Sequence, residues 1–167
     1  MERQSKGCIL IDWGDTLMRD LKEFSGPMKD WPRVEAIPDA KEILAFLHAN
    51  WILAVATNAD YSDEKDIRAA LQRVNLDRWL EKVYCFKKVG HKKPSLEFYQ
   101  YILNDLKLNP LSTFMVGDNF EADVLGANCC GIRAVWFNNR DDEHRRTDML
   151  RTILRLDDLP AVLAGWD

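Results

Sequence analysis

An acidic residue, Asp12, follows the apolar run CILI, and a second, Asp118, follows FMVG, with Asp123 five residues further on. Between them in sequence stand Thr57 and Asn58, around the end of ILAVA, and Lys93, at the end of KKVGHKK. The three carboxylates are hard oxygen donors of the kind that hold magnesium together with water and a substrate phosphate. Gathered at one place they repel one another, so they must share a cation or a proton. Thr57 and the amide of Asn58 can donate to phosphate oxygens, and Lys93 adds positive charge where negative charge is transferred. An aspartate backed by magnesium and lysine is a nucleophile for phosphorus, forming an aspartyl-phosphate that water then cleaves.

That chemistry needs a fold that brings distant residues to one edge. Short apolar or β-branched runs at Cys8–Ile11, Ile52–Ala56, Val83–Phe86, Phe114–Val116 and Ala134–Phe137 have the length and composition of strands buried on both faces. Helical spacing separates them: Ile43, Leu44, Leu47 and His48 within Ala40–Ala49; Ile67, Leu71 and Val74 after Ser62 as N-cap; Leu96, Tyr99, Ile102, Leu103 and Leu106 after Pro94 in the first turn; and a closing helix over Leu156–Leu163. Alternating strand and helix predicts an α/β three-layer, Rossmann-like fold, with a central parallel sheet of about five strands and helices on both faces. Right-handed crossovers bring the strands' C-terminal ends to one edge, where ligands of open sheets bind. Asp12, Thr57, Lys93 and Asp118 all follow those ends. One domain over residues 1–167 accommodates everything, with no internal repeat or linker.

Composition narrows the classes. A formal charge of −4 gives no general basic field, so nucleic acid is not indicated as a partner. The stretch MERQSKG has no apolar secretory core and no later run is long enough to span a bilayer, so the expectation is a soluble, cytoplasmic protein. Cys8, Cys85, Cys129 and Cys130 read as buried reduced thiols, and His48, His91 and His144 lack zinc spacing. The segment RDDEHRR, 140–146, mixes both signs and reads as a solvated loop or helix start. A response-regulator receiver would carry its phosphorylated Asp in mid-chain and its Lys last, whereas here Asp118 follows Lys93. A dinucleotide binder would need G-x-G-x-x-G after a strand, and none is present.

Motifs in order then resemble a known family, the haloacid dehalogenase-like (HAD) hydrolases. DWGDTL resembles the first motif, D-x-D-x-T, which implies Asp12 as nucleophile and Thr16 as its fixed Thr. AVATNA resembles the second, with Thr57 on phosphate; HKKPSLEFY the third, with Lys93-Pro94; and MVGDNFEADVLGANCCGI the fourth, with Asp118 on the metal and Asp123 beside it. The resemblance implies a magnesium-dependent phosphatase and a backbone contact from the Gly14 carbonyl to the metal. It covers nearly the whole chain except the stretch from Met18 to Ala36.

The departure is Gly14, where the family's phosphatases carry a second Asp that protonates the leaving oxygen and then activates water. Its loss removes a group worth about 10²- to 10⁴-fold in rate. Candidates for the proton are Asp15, His91 or the substrate itself; the alternative is a catalytically weak or inactive relative that binds magnesium, phosphate or a partner. Leu17 to Thr57 spans only about 40 residues, and a βαβ unit alone takes roughly 30, so no cap domain fits. What remains after the first strand is a small flap carrying Phe24, Met28 and Trp31. In the family, open sites of this kind go with bulky phosphorylated substrates or with homo-oligomers whose neighbours supply a lid.

Overall fold

The computed structural model describes residues 7–166. The stretch 1–6, where the sequence offers no secretory core, and Asp167 lie outside the described residues. Six strands form one sheet: β1 (Cys8–Ile11), β2 (Ile52–Thr57), β3 (Lys82–Cys85), β4 (Thr113–Gly117), β5 (Arg133–Phe137) and β6 (Leu150–Ile153), in spatial order β3-β2-β1-β4-β5-β6. Every pairing is parallel. The helices are α1 (Ala40–His48), α2 (Glu64–Arg73), a short α3 (Phe86–Val89), α4 (Leu96–Leu106), α5 (Gly126–Cys129), entered through a wide turn at Phe120–Leu125, and α6 (Leu159–Ala164).

Alternation along the strands sorts side chains into two layers. Ile9, Ile11, Leu53, Val55 and Val116 pack with Leu44 and Leu47 of α1, Ile67 and Leu71 of α2, and Leu159 and Leu163 of α6. Leu10, Ala54, Ala56, Met115 and Ala134 face the other way, onto Phe98, Tyr99 and Ile102 of α4 and Ala127 of α5. The small Ala54, Ala56 and Ala134 leave room for those aromatic rings. β1 lies between β2 and β4, and the chain reverses its direction of travel across the sheet there, which opens the crevice that this strand order places beyond the C-terminal ends of β1 and β4.

The sequence expectations need several corrections. The sheet has a sixth strand, β6, because LRTI is a short, half-polar edge strand without the continuous apolar run of a central one. Asp63, not Ser62, caps α2: its side chain accepts from the Asp66 N–H while Asp66 accepts from the Asp63 N–H. Pro94 precedes α4, and Ser95 is the cap. Cys8 and Cys85 are buried, but Cys129 is exposed and Cys130 half-buried. Among the described residues no helix is long and apolar enough to cross a membrane.

The segment between β1 and α1 folds no second unit. A single 3-10 turn, Met28–Asp30, docks on α2, with Met28 and Trp31 buried in the core. The Trp31 indole N–H donates to the Ser25 and Gly26 carbonyls, and Arg73 of α2 donates to the Lys29 and Trp31 carbonyls. This is the expected flap, tied at its far end.

Candidate active site

The chain leaves β1 through a tight turn. The Asp12 N–H donates to the Val116 carbonyl at 2.9 Å, extending the ladder with β4 by one step. The Trp13 carbonyl then accepts from the Leu17 and Met18 N–H groups, and the Asp15 N–H donates back to the Met18 carbonyl. Asp15 stands at φ 57°, a left-handed conformation that a short polar side chain tolerates. Its Oδ1 accepts from the Asp20 N–H at 3.0 Å, so this carboxylate shapes the turn while it borders the cleft. Thr16 is fully buried and its hydroxyl donates to Asp118 Oδ1 at 3.4 Å, tying the turn to the end of β4.

Lys93 is the hub. Its buried ammonium donates to Asp123 Oδ1 at 2.6 Å, the Ala56 carbonyl at 2.7 Å and Asp12 Oδ1 at 3.0 Å. Burial works against its charge, but Asp12 and Asp123 outweigh that and hold its pKa above the ordinary lysine value. The loop that carries it is clamped by Asn58, whose side chain donates to the Lys93 carbonyl and accepts from the Lys93 N–H, both at 2.8 Å. The Asn58 side chain thus positions Lys93, and the residue lines the cleft with one amide hydrogen beyond the bond to the Lys93 carbonyl. Thr57 sits beside it, nearly buried, with Oγ1 accepting from the Ala59 N–H at 3.2 Å.

Asp12, Asp118 and Asp123 offer carboxylate oxygens that all lie within 4.8 Å of one another. Burial first, and then the charge on Asp12, raises Asp118 to about 6. Burial also dominates at Asp123, lifting it to about 7 against the pull of Lys93. Two acids pushed toward protonation around a third oxygen donor is what a site for a hard dication looks like without its charge, and the all-oxygen set fits magnesium. Asp123 is further fixed by the Asn119 N–H, which donates to its Oδ2 at 3.0 Å. Gly117 makes room for it: a Cβ there would stand 2.1 Å from Asp123 Oδ2.

These residues line an open cleft of about 480 Å³, whose wall also includes Gly14, Asp15, Thr57, Asn58 and Lys93. His91, one of the candidate proton sources, is exposed and is not among the residues lining the cleft. Several cleft residues escape the sequence reading, Asp20, Lys22 and Arg140 among them. Asp20 and Lys22 arrive through the turn after β1, which has no sequence signature, and pair with each other. Arg140 belongs to the segment read as a solvated loop, yet its guanidinium donates to Asp118 Oδ2 at 2.6 Å. Extending the strand-end rule to the run that ends at Phe137 would have singled it out. Phe24, Met28 and Trp31 of the flap close one side of the cleft.

Comparison with known proteins adds a family to this geometry. Residues 9–137 match the model of the haloacid dehalogenase-like hydrolases. The ribulose-1,5-bisphosphate 5-phosphatase of Halopiger xanaduensis is 31% identical over 107 residues, 64% of this chain and 44% of that protein. An uncharacterized protein from Listeria monocytogenes serotype 4b superposes with a TM-score of 0.83 at 26% identity, over 95% of this chain and 97% of that one. The 2-haloacid dehalogenase of Pseudomonas syringae pv. Tomato superposes at 0.66 with 28% identity, over 81% of this chain and 56% of that one. The chain spans less than half the length of the curated relatives it matches.

Proposed function

The chain belongs to the haloacid dehalogenase-like hydrolases, and from that premise we propose that it is a magnesium-dependent phosphatase acting on phosphomonoesters through an aspartyl-phosphate on Asp12. The observation that carries this reading is the Lys93 ammonium bound to both Asp12 and Asp123, with Asp118 alongside, at the C-terminal edge of the sheet. In it Asp12 is the nucleophile, and the contact with Lys93 fixes its carboxylate for attack on phosphorus. Thr57 and Lys93 hold the non-bridging phosphate oxygens, where charge is carried through transfer. Magnesium, held by Asp12, Asp118 and the Gly14 carbonyl with Asp123 beside them, would neutralise part of the phosphate charge. The phosphatases among the relatives support this choice of substrate class. The open cleft, with only the flap along one side, suits a bulky leaving group.

A second reading, a protein that binds magnesium and phosphate with little turnover, is favoured by Gly14, which brings no carboxyl to the leaving oxygen. The two are separated by assaying phosphate release from a broad panel of phosphomonoesters with magnesium and with a chelator. Metal-dependent release is the expected result; magnesium binding with no release from any ester would favour the second reading.

A further inference from the structure

Gly14 leaves the second position after Asp12 without a carboxyl, yet the neighbouring volume holds one. A Cβ built on Gly14 would meet a single heavy atom within 4 Å, the Cβ of Asp20 at 3.7 Å. Two aspartates with Cβ atoms that close can bring their carboxyl groups to a common point. Asp20 lines the same cleft as Asp12 and Asp118. It is delivered there by the turn after β1, whose Asp15 Oδ1 accepts from the Asp20 N–H at 3.0 Å. That bond engages the carboxylate of Asp15 and leaves that of Asp20 on the rim, paired with Lys22. Both side chains of this pair are exposed, 39% for Asp20 and 78% for Lys22, so the pair is loosely held and can yield to a substrate.

We propose that Asp20 is the general acid and base that Gly14 cannot be, a role that rests on the phosphatase reading. Substrate phosphate draws Lys22 away and Asp20 takes up a proton from solvent. In the first step an Asp12 carboxylate oxygen then bonds to phosphorus, the bond from phosphorus to the ester oxygen breaks, and that oxygen takes the proton of the Asp20 carboxyl and leaves as the alcohol. Lys22 then faces the Asp20 carboxylate so formed. In the second step water bonds to phosphorus, its proton passes to the Asp20 carboxylate, and the acyl-phosphate bond breaks. Inorganic phosphate leaves, Asp20 returns its proton to solvent as Lys22 pairs with it again, and both aspartates regain their starting states.

The test moves the carboxyl from one position to the other. Wild type, Asp20→Asn, and Asp20→Asn combined with Gly14→Asp are assayed on β-glycerophosphate, whose alkoxide needs a proton, with melting temperatures recorded for each. Asp20→Asn should lower kcat by about 10²-fold or more, and the added Gly14→Asp should restore most of it. Full kcat in Asp20→Asn would overturn the proposal, as would a double variant that melts like wild type and stays as slow as the single one. If wild type releases no more phosphate than Asp12→Asn from β-glycerophosphate and from every other ester of the panel, the phosphatase reading fails and this proposal with it. An active wild type and an inactive Asp12→Asn beside an unimpaired Asp20→Asn would confine the failure to Asp20.

Discussion

Asp123 is held at once by a buried ammonium, a backbone N–H and a neighbouring glycine, and each contact makes a different demand on the sequence. Gly117→Ala would drive a methyl group to 2.1 Å from the carboxylate. Overpacking of this kind costs about 1–3 kcal/mol, so the variant should melt lower and bind magnesium more weakly, measurable by calorimetry. At Gly14 the outlook is opposite. Its φ lies outside the left-handed range and a new Cβ makes only ordinary contact, so Gly14→Asp in the otherwise native chain should fold with its melting temperature little changed. Its phosphate release should rise well short of the roughly 10²-fold that restoring a missing acid gives, because Asp20 already stands there. Asp12, Lys93 and Asp118 were legible in sequence because each comes after a strand, and Asp123 through its spacing from Asp118. Asp20 was not, because a left-handed Asp15 and a tight turn bring it back, and no local pattern marks that path.

Among the elements, the flap is the one whose position most directly shapes the cleft. Its anchor is Arg73, reaching from the last turn of α2 to the carbonyls of Lys29 and Trp31 at 3.0 and 2.7 Å. Arg73→Ala should cost about 1–2 kcal/mol by leaving those carbonyls without their donor. It should also raise KM several-fold more than it lowers kcat, because Asp12, Asp118 and Asp123 lie on the sheet edge and Asp20 is held by the Asp15 turn, apart from the anchored end of the flap; steady-state kinetics on a single ester checks the split. The buried strands and the amphipathic helices α1, α2 and α4 could be read from period alone. β6 could not, since Arg151 and Thr152 make it look like loop, and its strand identity comes only from pairing with β5. Arg140 was hidden by the same blind spot, lying in the charged segment that joins those two strands.

Across the whole molecule, the acid cluster ties stability to pH and to cation. Asp118 and Asp123 have folded pKa values of about 6 and about 7, raised above the ordinary carboxylate range. Their contribution to stability is therefore fully present at pH below the unfolded value of about 3.9 and is lost as pH rises through about 6 to 7. Magnesium competes with those protons, so its affinity should tighten between pH 5 and 8, and the rise in melting temperature it produces should be larger at pH 8. Thermal melts at both pH values, with magnesium and with chelator, check the sign; an equal shift at both would place the ion elsewhere. In the proposed mechanism Asp12 performs the attack on phosphorus. The measurement that meets it most directly is magnesium-dependent phosphate release by Asp12→Asn beside wild type, on whichever phosphomonoester wild type hydrolyses fastest. Turnover should be lost in a variant whose circular dichroism matches wild type; undiminished release would rule Asp12 out as the nucleophile.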